Sequence, residues 1–257
     1  MEYRYLPFIT LSEIKPRVWI TLSGCNFKCK ACFSPARNVI GKKMGVDELV
    51  KLVKKSSLNY YQRLPEEIII TGGESTLNRD FLLELVSKLD FGDVVIESNG
   101  FLLDEEYVDE LVKAGLKEVM LDLKACNEDL HEWYTGFSNR PVLRSVRVTH
   151  ERTKLIVKTV YMPGIVDESE VENIARFISR VDPGIEYRIN DFKPQKGLSR
   201  TPTDQEMEKA YSVAKKHLNN VILSRSCRKE RIATNKKSWI TVFPNGTYKR
   251  RSLKNYK

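Results

Sequence analysis

Short apolar runs alternate with amphipathic segments along most of this chain, and the alternation limits the fold more than any other feature of the sequence. Such a pattern is typical of repeated βα units around a parallel sheet. Six runs are predicted to form strands: 18–22, 67–71, 94–98, 118–123, 155–161 and 185–192. Helices are predicted over 46–56, 81–89, 105–114, 167–181 and 203–218. We therefore expect an α/β fold, a partial (β/α)6 barrel of the TIM type, with functional residues at the carboxyl ends of its strands.

Three of the five cysteines, Cys25, Cys29 and Cys32, lie within eight residues directly after the first predicted strand. Three thiolates leave one position open in a four-coordinate site, which is typical of a catalytic metal rather than a structural one. Thiolates favour zinc, copper(I) or iron-sulfur clusters. A closed zinc site would need a fourth ligand, and the remaining candidates are isolated in the sequence: Cys126, Cys227, His131, His150 and His217. The spacing favours an iron-sulfur cluster with an open iron, and zinc is the alternative.

Polar residues follow the carboxyl ends of the predicted strands. In a parallel sheet these ends lie along the same edge. Gly72, Gly73 and Glu74 follow the second strand, and two glycines there would let the backbone approach a ligand closely. The third and fourth strands end in further polar residues: Glu97, Ser98, Asp122 and Lys124. A turn explains any one of these segments by itself. Together they predict a ligand site beside the cysteines.

These features resemble the radical S-adenosylmethionine enzymes, which combine a C-x3-C-x2-C motif after a first strand with a Gly-Gly-Glu segment after the second. The resemblance implies that Cys25, Cys29 and Cys32 hold a 4Fe-4S cluster and that S-adenosylmethionine binds the fourth iron. An electron from the cluster would then cleave the sulfonium bond and yield a 5'-deoxyadenosyl radical that abstracts hydrogen. A reductant protein similar to flavodoxin or ferredoxin is implied as the electron source.

Within that superfamily the chain is most similar to the activating enzymes of glycyl radical enzymes, such as the pyruvate formate-lyase activase. The likeness covers roughly residues 18–192 and is carried by 98–101, 119–124, His131 and 136–139. It implies that the substrate is a glycine of a partner glycyl radical enzyme. For His131, a position on a helix surface and a catalytic role both remain open.

The same resemblance implies a role for each polar residue at the strand ends. Gly72, Gly73 and Glu74 would face the methionine amino group, and Lys124 would pair with the methionine carboxylate. A monovalent cation beside that carboxylate would have four ligands: Glu97, Ser98, the carbonyl of Met120 and Asp122. A zwitterionic amino acid needs one anionic and one cationic contact, so the set is chemically consistent.

The chain also departs from the activase pattern near the substrate side of the site. Ala31 replaces the usual aromatic residue before the third cysteine, and Phe33 lies on the other side of Cys32. The Gly-Pro-Gly segment expected upstream is replaced by 13–17, and a histidine-containing loop by 190–197. The alternative is therefore radical modification of a small molecule, nucleotide or tRNA. A zinc-binding module without catalysis is a further alternative.

The carboxyl-terminal segment predicts a β-hairpin around an Asn245-Gly246 turn. We expect a radical enzyme barrel over 1–225 and a basic hairpin extension over 226–257. Basic side chains interleaved with aromatic ones could bind nucleic acid by stacking, and a solvated edge hairpin is the alternative. Cys126 is predicted to be a small buried side chain.

The composition sets outer limits on location and partners. A net charge of +9 could attract anionic partners, while 30% charged residues is also typical of a heat-adapted surface. The chain has no apolar stretch of about 18 residues and no signal-peptide core at its start, so we expect a cytoplasmic protein without a membrane partner. An odd number of cysteines argues against a disulfide framework.

Overall fold

A computed structural model describes residues 2–194, 197–224 and 238–252 of the protein. The helices are α1 (Val46–Tyr61), α2 (Arg79–Lys88), α3 (Glu105–Ala114), α4 (Glu128–Thr135), α5 (Arg140–His150), α6 (Glu168–Val181) and α7 (Asp204–Lys215). The strands up to the middle of the chain are β1 (Tyr3–Leu6), β2 (Phe8–Ser12), β3 (Arg17–Leu22), β4 (Lys42–Gly45), β5 (Glu67–Gly72) and β6 (Asp93–Ser98). The later strands are β7 (Leu116–Asp122), β8 (Lys154–Tyr161), β9 (Glu186–Asp191), β10 (Val221–Ser224), β11 (Ser238–Val242) and β12 (Tyr248–Ser252).

The strands that follow one another in the barrel run parallel. Their order in the sheet is β10-β9-β8-β7-β6-β5-β3, and each neighbouring pair is parallel. The six predicted strands correspond to β3 and to β5 through β9, so the predicted α/β class and partial barrel are confirmed. β10 is a further parallel strand that the sequence did not reveal, because it has four residues of which one is buried.

Antiparallel strands extend the sheet beyond β3. β2 pairs with β3, β11 pairs with β2, and β12 pairs with β11 to complete a ten-stranded sheet within the described residues. The predicted carboxyl-terminal hairpin is therefore confirmed, and it belongs to the same sheet as the barrel. The predicted domain boundary after residue 225 lies outside the described residues, as does Cys227.

Local signals at helix ends explain why several predicted helices have their observed bounds. Asp104 caps α3 by accepting a 2.8 Å hydrogen bond from the backbone NH of Tyr107. Gly115 ends the same helix in a left-handed conformation, with φ of 115°. Val108 and Leu111 lie on its buried face. The observed helix spans the predicted residues because the cap, the apolar face and the terminating glycine agree.

The two faces of the sheet differ in character, and this difference places the site. The outer face packs against the helices in the main core, where residues such as Ile20, Ile70 and Leu121 are fully buried. The inner face has a small separate apolar cluster: Ile69, Val95, Met120 and Ile156, with Trp19 against it. Polar side chains lie beyond that cluster toward the carboxyl ends of the strands. Among the described helices, none is long and apolar enough to span a bilayer.

Candidate active site

The cysteine loop, residues 23–34, leaves β3 and is fixed at its start by main-chain hydrogen bonds. The NH of Gly73 donates to Leu22 O and the NH of Glu74 donates to Gly24 O, both at 2.8 Å. The NH of Gly24 donates in turn to Ala36 O at 2.8 Å. The Gly-Gly-Glu segment therefore holds the first residues of the loop against the end of β5.

The two glycines of this segment are needed for that close approach. A Cβ atom at Gly72 would lie 2.0 Å from Leu22 O, and one at Gly73 would lie 2.2 Å from Gly24 O. Gly72 also has a φ of 129°, which side chains rarely adopt. The sequence predicted a close approach to a ligand, and the structure adds a close approach to the chain's own cysteine loop.

The side chain of Glu74 points into the protein and joins two strand ends. It is 1% exposed, and its Oε1 accepts hydrogen bonds from the Thr76 NH at 3.0 Å, the Thr76 hydroxyl at 2.6 Å and the Ser98 hydroxyl at 2.7 Å. Its Oε2 accepts from the Asn99 NH at 2.7 Å. The contact of Glu74 with a methionine amino group stays a prediction. The carboxylate has a structural role as well.

An aromatic cluster anchors the middle of the cysteine loop. Phe27 is buried and stacks on Phe137, with ring centroids 5.4 Å apart, and its ring meets the edges of Phe101 and His131. The loop also donates main-chain hydrogen bonds from Lys28 and Lys30 to the last turn of α4. The position of the cysteines thus depends on α4 and on the segments that follow β6 and α4.

His131 is fully buried, so the expectation that it lies on a helix surface is wrong. Its Nδ1 lies 2.7 Å from the carbonyl oxygen of Phe137, which can only accept, so this nitrogen donates. Burial is the main cause that lowers the pKa of His131, and the nearby Lys124 lowers it further, while the hydrogen bond to Phe137 opposes both. A neutral ring that packs on Phe27 fits a structural role.

The three thiols of the motif lie within electrostatic range of one another. Cys29 is buried, Cys25 and Cys32 are partly buried, and each is a free thiol. Burial is the largest influence on Cys25 and raises its pKa to about 11. Burial also raises the pKa of Cys29, and Lys124 partly opposes this. In the part of the chain that the structure describes, no three His, Cys, Asp or Glu side chains are grouped closely enough to hold one metal ion.

A half-buried ion pair lies next to the cysteines at the end of β7. Lys124 Nζ is 2.6 Å from Asp122 Oδ2, and Lys124 is also within electrostatic range of Cys29. Burial alone would lower the pKa of Lys124, but Asp122 and Cys29 outweigh it, so the pKa lies above its usual value and the ammonium stays charged. The other oxygen of Asp122, Oδ1, is buried without a hydrogen-bond donor among the described residues. An acceptor and a cation are therefore both available here.

A second ion pair crosses the inner face between β6 and β8. Glu97 Oε1 lies 2.9 Å from Lys158 Nζ, and its Oε2 accepts a 2.7 Å hydrogen bond from the Thr71 hydroxyl. Burial would raise the pKa of Glu97, but Lys158, Thr71 and Arg188 together hold it below its usual value. Glu97 is thus a charged carboxylate that the protein already balances with a lysine.

Arg4 in β1 has a role that the sequence does not indicate. Its guanidinium is buried and donates to the carbonyl oxygens of Ser23, Glu74 and Ser75, at 3.1, 2.8 and 3.2 Å. These bonds tie the start of the cysteine loop to the Gly-Gly-Glu segment a second time. No local motif marks such a residue, because all of its partners are distant in sequence.

Comparison with known proteins identifies the class to which this fold and site belong. A family model described as the radical SAM superfamily matches residues 19–178, which is more than half of the chain. A candidate glycyl-radical enzyme activating enzyme of Methanocaldococcus jannaschii is 34% identical over 228 residues, covering 85% of both chains. The pyruvate formate-lyase-activating enzyme of Streptococcus mutans is 28% identical over 166 residues, covering 60% of this chain and 62% of its own.

Among solved structures, Streptococcus suis SuiB has the same fold. The TM-score is 0.61 at 15% identity, over 85% of this chain and 50% of SuiB. A likeness at this identity concerns the fold alone.

The chain belongs to the radical S-adenosylmethionine superfamily and is an enzyme of radical chemistry. Membership implies a 4Fe-4S cluster and S-adenosylmethionine, and the residues present fit both groups. Three free thiols near one another are the donor set that such a cluster requires. The charged Lys124 offers the cationic contact that the carboxylate of an amino-acid ligand needs, and the unpartnered Asp122 oxygen is available for a cation beside it.

Proposed function

We propose that this enzyme activates a glycyl radical enzyme by removing a hydrogen atom from one of its glycines. The similarity to a candidate activating enzyme over 85% of both chains supports this substrate class. The observation that supports the radical chemistry is the Asp122–Lys124 pair, because both charged groups lie within electrostatic range of Cys29 of the three-cysteine motif. The predicted roles of the other strand-end residues are kept within this proposal.

In this proposal Cys25, Cys29 and Cys32 hold the 4Fe-4S cluster, and the strand-end residues orient S-adenosylmethionine against it. When bound, the two groups supply a one-electron reductive cleavage that yields a 5'-deoxyadenosyl radical. Lys124 binds the methionine carboxylate, and Gly73 and the Glu74 segment face the amino group.

The monovalent-cation site is also part of the proposal. Of its predicted ligands, Asp122 contributes most, because its Oδ1 has no donor among the described residues. Glu97 is paired with Lys158, and the Ser98 hydroxyl already donates to Glu74. Metal content measured after dialysis against sodium, potassium or neither tests the site, and Asp122→Asn is expected to remove any bound ion.

Anaerobic reconstitution tests the radical chemistry. Wild-type protein is expected to take up about four irons per chain and to form 5'-deoxyadenosine with a reductant and S-adenosylmethionine. Cys29→Ala is expected to lose both, whereas Cys126→Ala, which removes a thiol outside the motif, keeps both. Uptake of zinc without any 5'-deoxyadenosine would contradict the cluster assignment.

A partner assay tests the substrate. A large protein with a carboxyl-terminal glycine loop, encoded in the same genome, is incubated with the reconstituted enzyme, and electron paramagnetic resonance is used to detect a glycyl radical. A Gly→Ala variant of that loop is the control and gives no signal. If 5'-deoxyadenosine forms but no glycyl radical is found, the activase role is wrong and modification of a small molecule or nucleotide takes its place.

The division of the chain at residue 225, with a basic extension over 226–257, stays a prediction. The comparisons give no support for nucleic-acid binding, and most of its basic residues lie outside the described residues. A gel-shift titration with tRNA, repeated at increasing salt, tests that alternative directly.

A further inference from the structure

A cleft of about 220 Å³ lies on the inner face of the sheet, between β2 and the carboxyl-terminal hairpin. Its lining residues are Phe8, Thr10, Trp239, Thr241 and Arg251. The register shows that the cleft shares a face with the barrel interior, because Thr10 lies opposite Trp19 on β3 and opposite Thr241 on β11. A ligand in this cleft would therefore extend along the same surface that leads to the cysteine site.

Arg251 gives the cleft its chemical character. Its Nε is buried and has no hydrogen-bond partner within the described residues. The adjacent Arg250 lies opposite Ile240, on the other face of the hairpin, and its guanidinium is 2.7 Å from Glu13. Leaving a buried donor without an acceptor is costly. An acceptor supplied by a ligand would remove that cost, and Arg250 has no such need.

The other lining groups favour one chemical class of ligand, a carboxylate on an aliphatic stem. The hydroxyls of Thr10 and Thr241 can donate to an oxyanion, while Phe8 and Trp239 provide apolar walls for the stem. A guanidinium matches a carboxylate through two parallel hydrogen bonds. Among the described residues that line the cleft, Arg251 is the one cation, and a phosphate monoester has a charge of about −1.5 to −2 at neutral pH, which is more than one guanidinium balances.

The volume shows that only part of a substrate would be bound here. Pockets that enclose a whole small molecule usually measure about 300–1,000 Å³, which is larger than this cleft. A single acidic side chain of a longer chain suits the space better. Arg251 and Trp239 lie level with Ser12 near the start of β3, whereas the cysteine loop leaves the other end of that strand, so the group that the cleft binds is distinct from the reacting one.

We infer that this cleft binds the carboxylate of an aspartate or glutamate side chain in the protein substrate and so aligns that substrate on the inner face. The protein nature of the substrate rests on the proposed function. The preference for a carboxylate rests on the cleft itself. Arg251 acts as a specificity-determining residue that takes no part in the radical chemistry.

Calorimetric titration of the reconstituted full-length enzyme tests the inference with small probes. N-acetylglutamate methylamide is expected to bind saturably, and the neutral glutamine analogue about tenfold or more weaker. Arg251→Gln is expected to weaken binding of the glutamate probe by about tenfold or more, while Arg250→Gln changes it less than about twofold. Arg251→Lys, which keeps the charge but loses the planar fork, is expected to fall between these values.

Other outcomes would overturn the inference. Absence of saturable binding, or an equal loss in Arg250→Gln, means that the cleft is not a specific site. Tighter binding of inorganic phosphate than of the glutamate probe means that the carboxylate assignment is wrong. Unchanged circular dichroism and melting temperature show that a variant folds, and Arg251→Lys decides the question if Arg251→Gln does not. Formation of 5'-deoxyadenosine is scored separately, so failure of this inference and failure of the proposed function give different results.

Discussion

The Ser98 hydroxyl donates a 2.7 Å hydrogen bond to the Glu74 carboxylate and thereby joins the ends of two neighbouring parallel strands. The Asn99 NH donates to the same carboxylate. The Asn99 side-chain amide donates a 2.8 Å hydrogen bond to Asn26 Oδ1, and Asn26 follows the first cysteine of the motif. A chain of contacts therefore runs from the end of β5 through the end of β6 to the cysteine loop.

Glu74→Gln is expected to destabilise the protein even without any cofactor. The amide NH2 would face hydrogen-bond donors in place of an acceptor, and the loss is expected to be about 1–3 kcal/mol in the free energy of unfolding. Urea unfolding of cluster-free protein measures it. Glu84→Gln, which removes an exposed carboxylate paired with Lys88, should change stability by less than about 0.5 kcal/mol. Equal stability of wild type and Glu74→Gln would show that the carboxylate has no structural role.

Phe27→Leu is expected to reduce retention of the cluster more than its effect on stability would suggest. The substitution nearly conserves volume and should cost less than about 1.5 kcal/mol, but it removes the ring contacts that fix the cysteine loop. Iron per chain after gel filtration is the measurement. Phe81→Leu, in the core under α2, should cost a similar amount of stability and keep the iron. Equal iron in both variants would refute the anchoring role.

Gly73→Ala is expected to displace the start of the cysteine loop. The new Cβ would lie 2.2 Å from Gly24 O and 2.6 Å from Ala36 O, so the main chain must move. We expect faster alkylation of the motif cysteines in cluster-free protein, measured by mass spectrometry. Gly164→Ala has a backbone penalty that Gly73→Ala does not have, since φ of Gly164 is 75°, but its Cβ meets no atom within 4 Å, and it should leave the alkylation rate unchanged.

Protonation of Glu206 is expected to lower the stability of the protein at acidic pH. Hydrogen bonds from Arg200 and then from Thr203 lower its pKa from 4.5 to about 2. The ionised carboxyl therefore stabilises the fold above pH 4.5, and this contribution is lost as the pH falls from 4.5 toward 2. Melting temperatures measured across that range should fall less steeply in Glu206→Gln than in wild type. Parallel slopes in the two proteins would contradict the assignment, and Glu132→Gln, an exposed position on α4, is the control.

The barrel was predictable from the sequence because its strands and helices each have a strong local period. The runs at β5, β6 and β8 are β-branched and buried, and helices such as α3 carry their own capping signals. β1, β2 and β4 were missed because they are short and alternate weakly. They form only because distant strands offer partners, as β2 does between β3 and β11.

The sequence was a better guide to which residues lie near the candidate site than to the directions of their side chains. The structure has the motif cysteines, Glu74 and Lys124 close to the strand ends where the sequence predicted them, and their roles toward a ligand stay predictions. The inward direction of the Glu74 carboxylate could not be predicted, since it depends on donors from two other segments. Phe27 and Arg4 were missed for the same reason, because their contacts join segments that are far apart in sequence. Residue type and spacing therefore predict which chemistry is present, and long-range packing decides where each group points.

The antiparallel strands beside β3 set a fixed distance on the inner face between Arg251 and the cysteine site. From β3 to β12 the sheet advances by three strand spacings, which is about 14 Å at ~4.8 Å each. The register also places Arg251 level with the start of β3, whereas the cysteine loop leaves its end at Leu22, about five residues or ~17 Å further along the strand. The two points are then roughly 22 Å apart, so in the proposed protein substrate an acidic side chain held at Arg251 and the reacting residue would be separated by at least about six positions at ~3.4 Å per extended residue. The hairpin thus sets which sequence spacings a partner can present. Deleting residues between the two positions of that substrate, so that fewer than this minimum remain, would put its reactive residue out of reach.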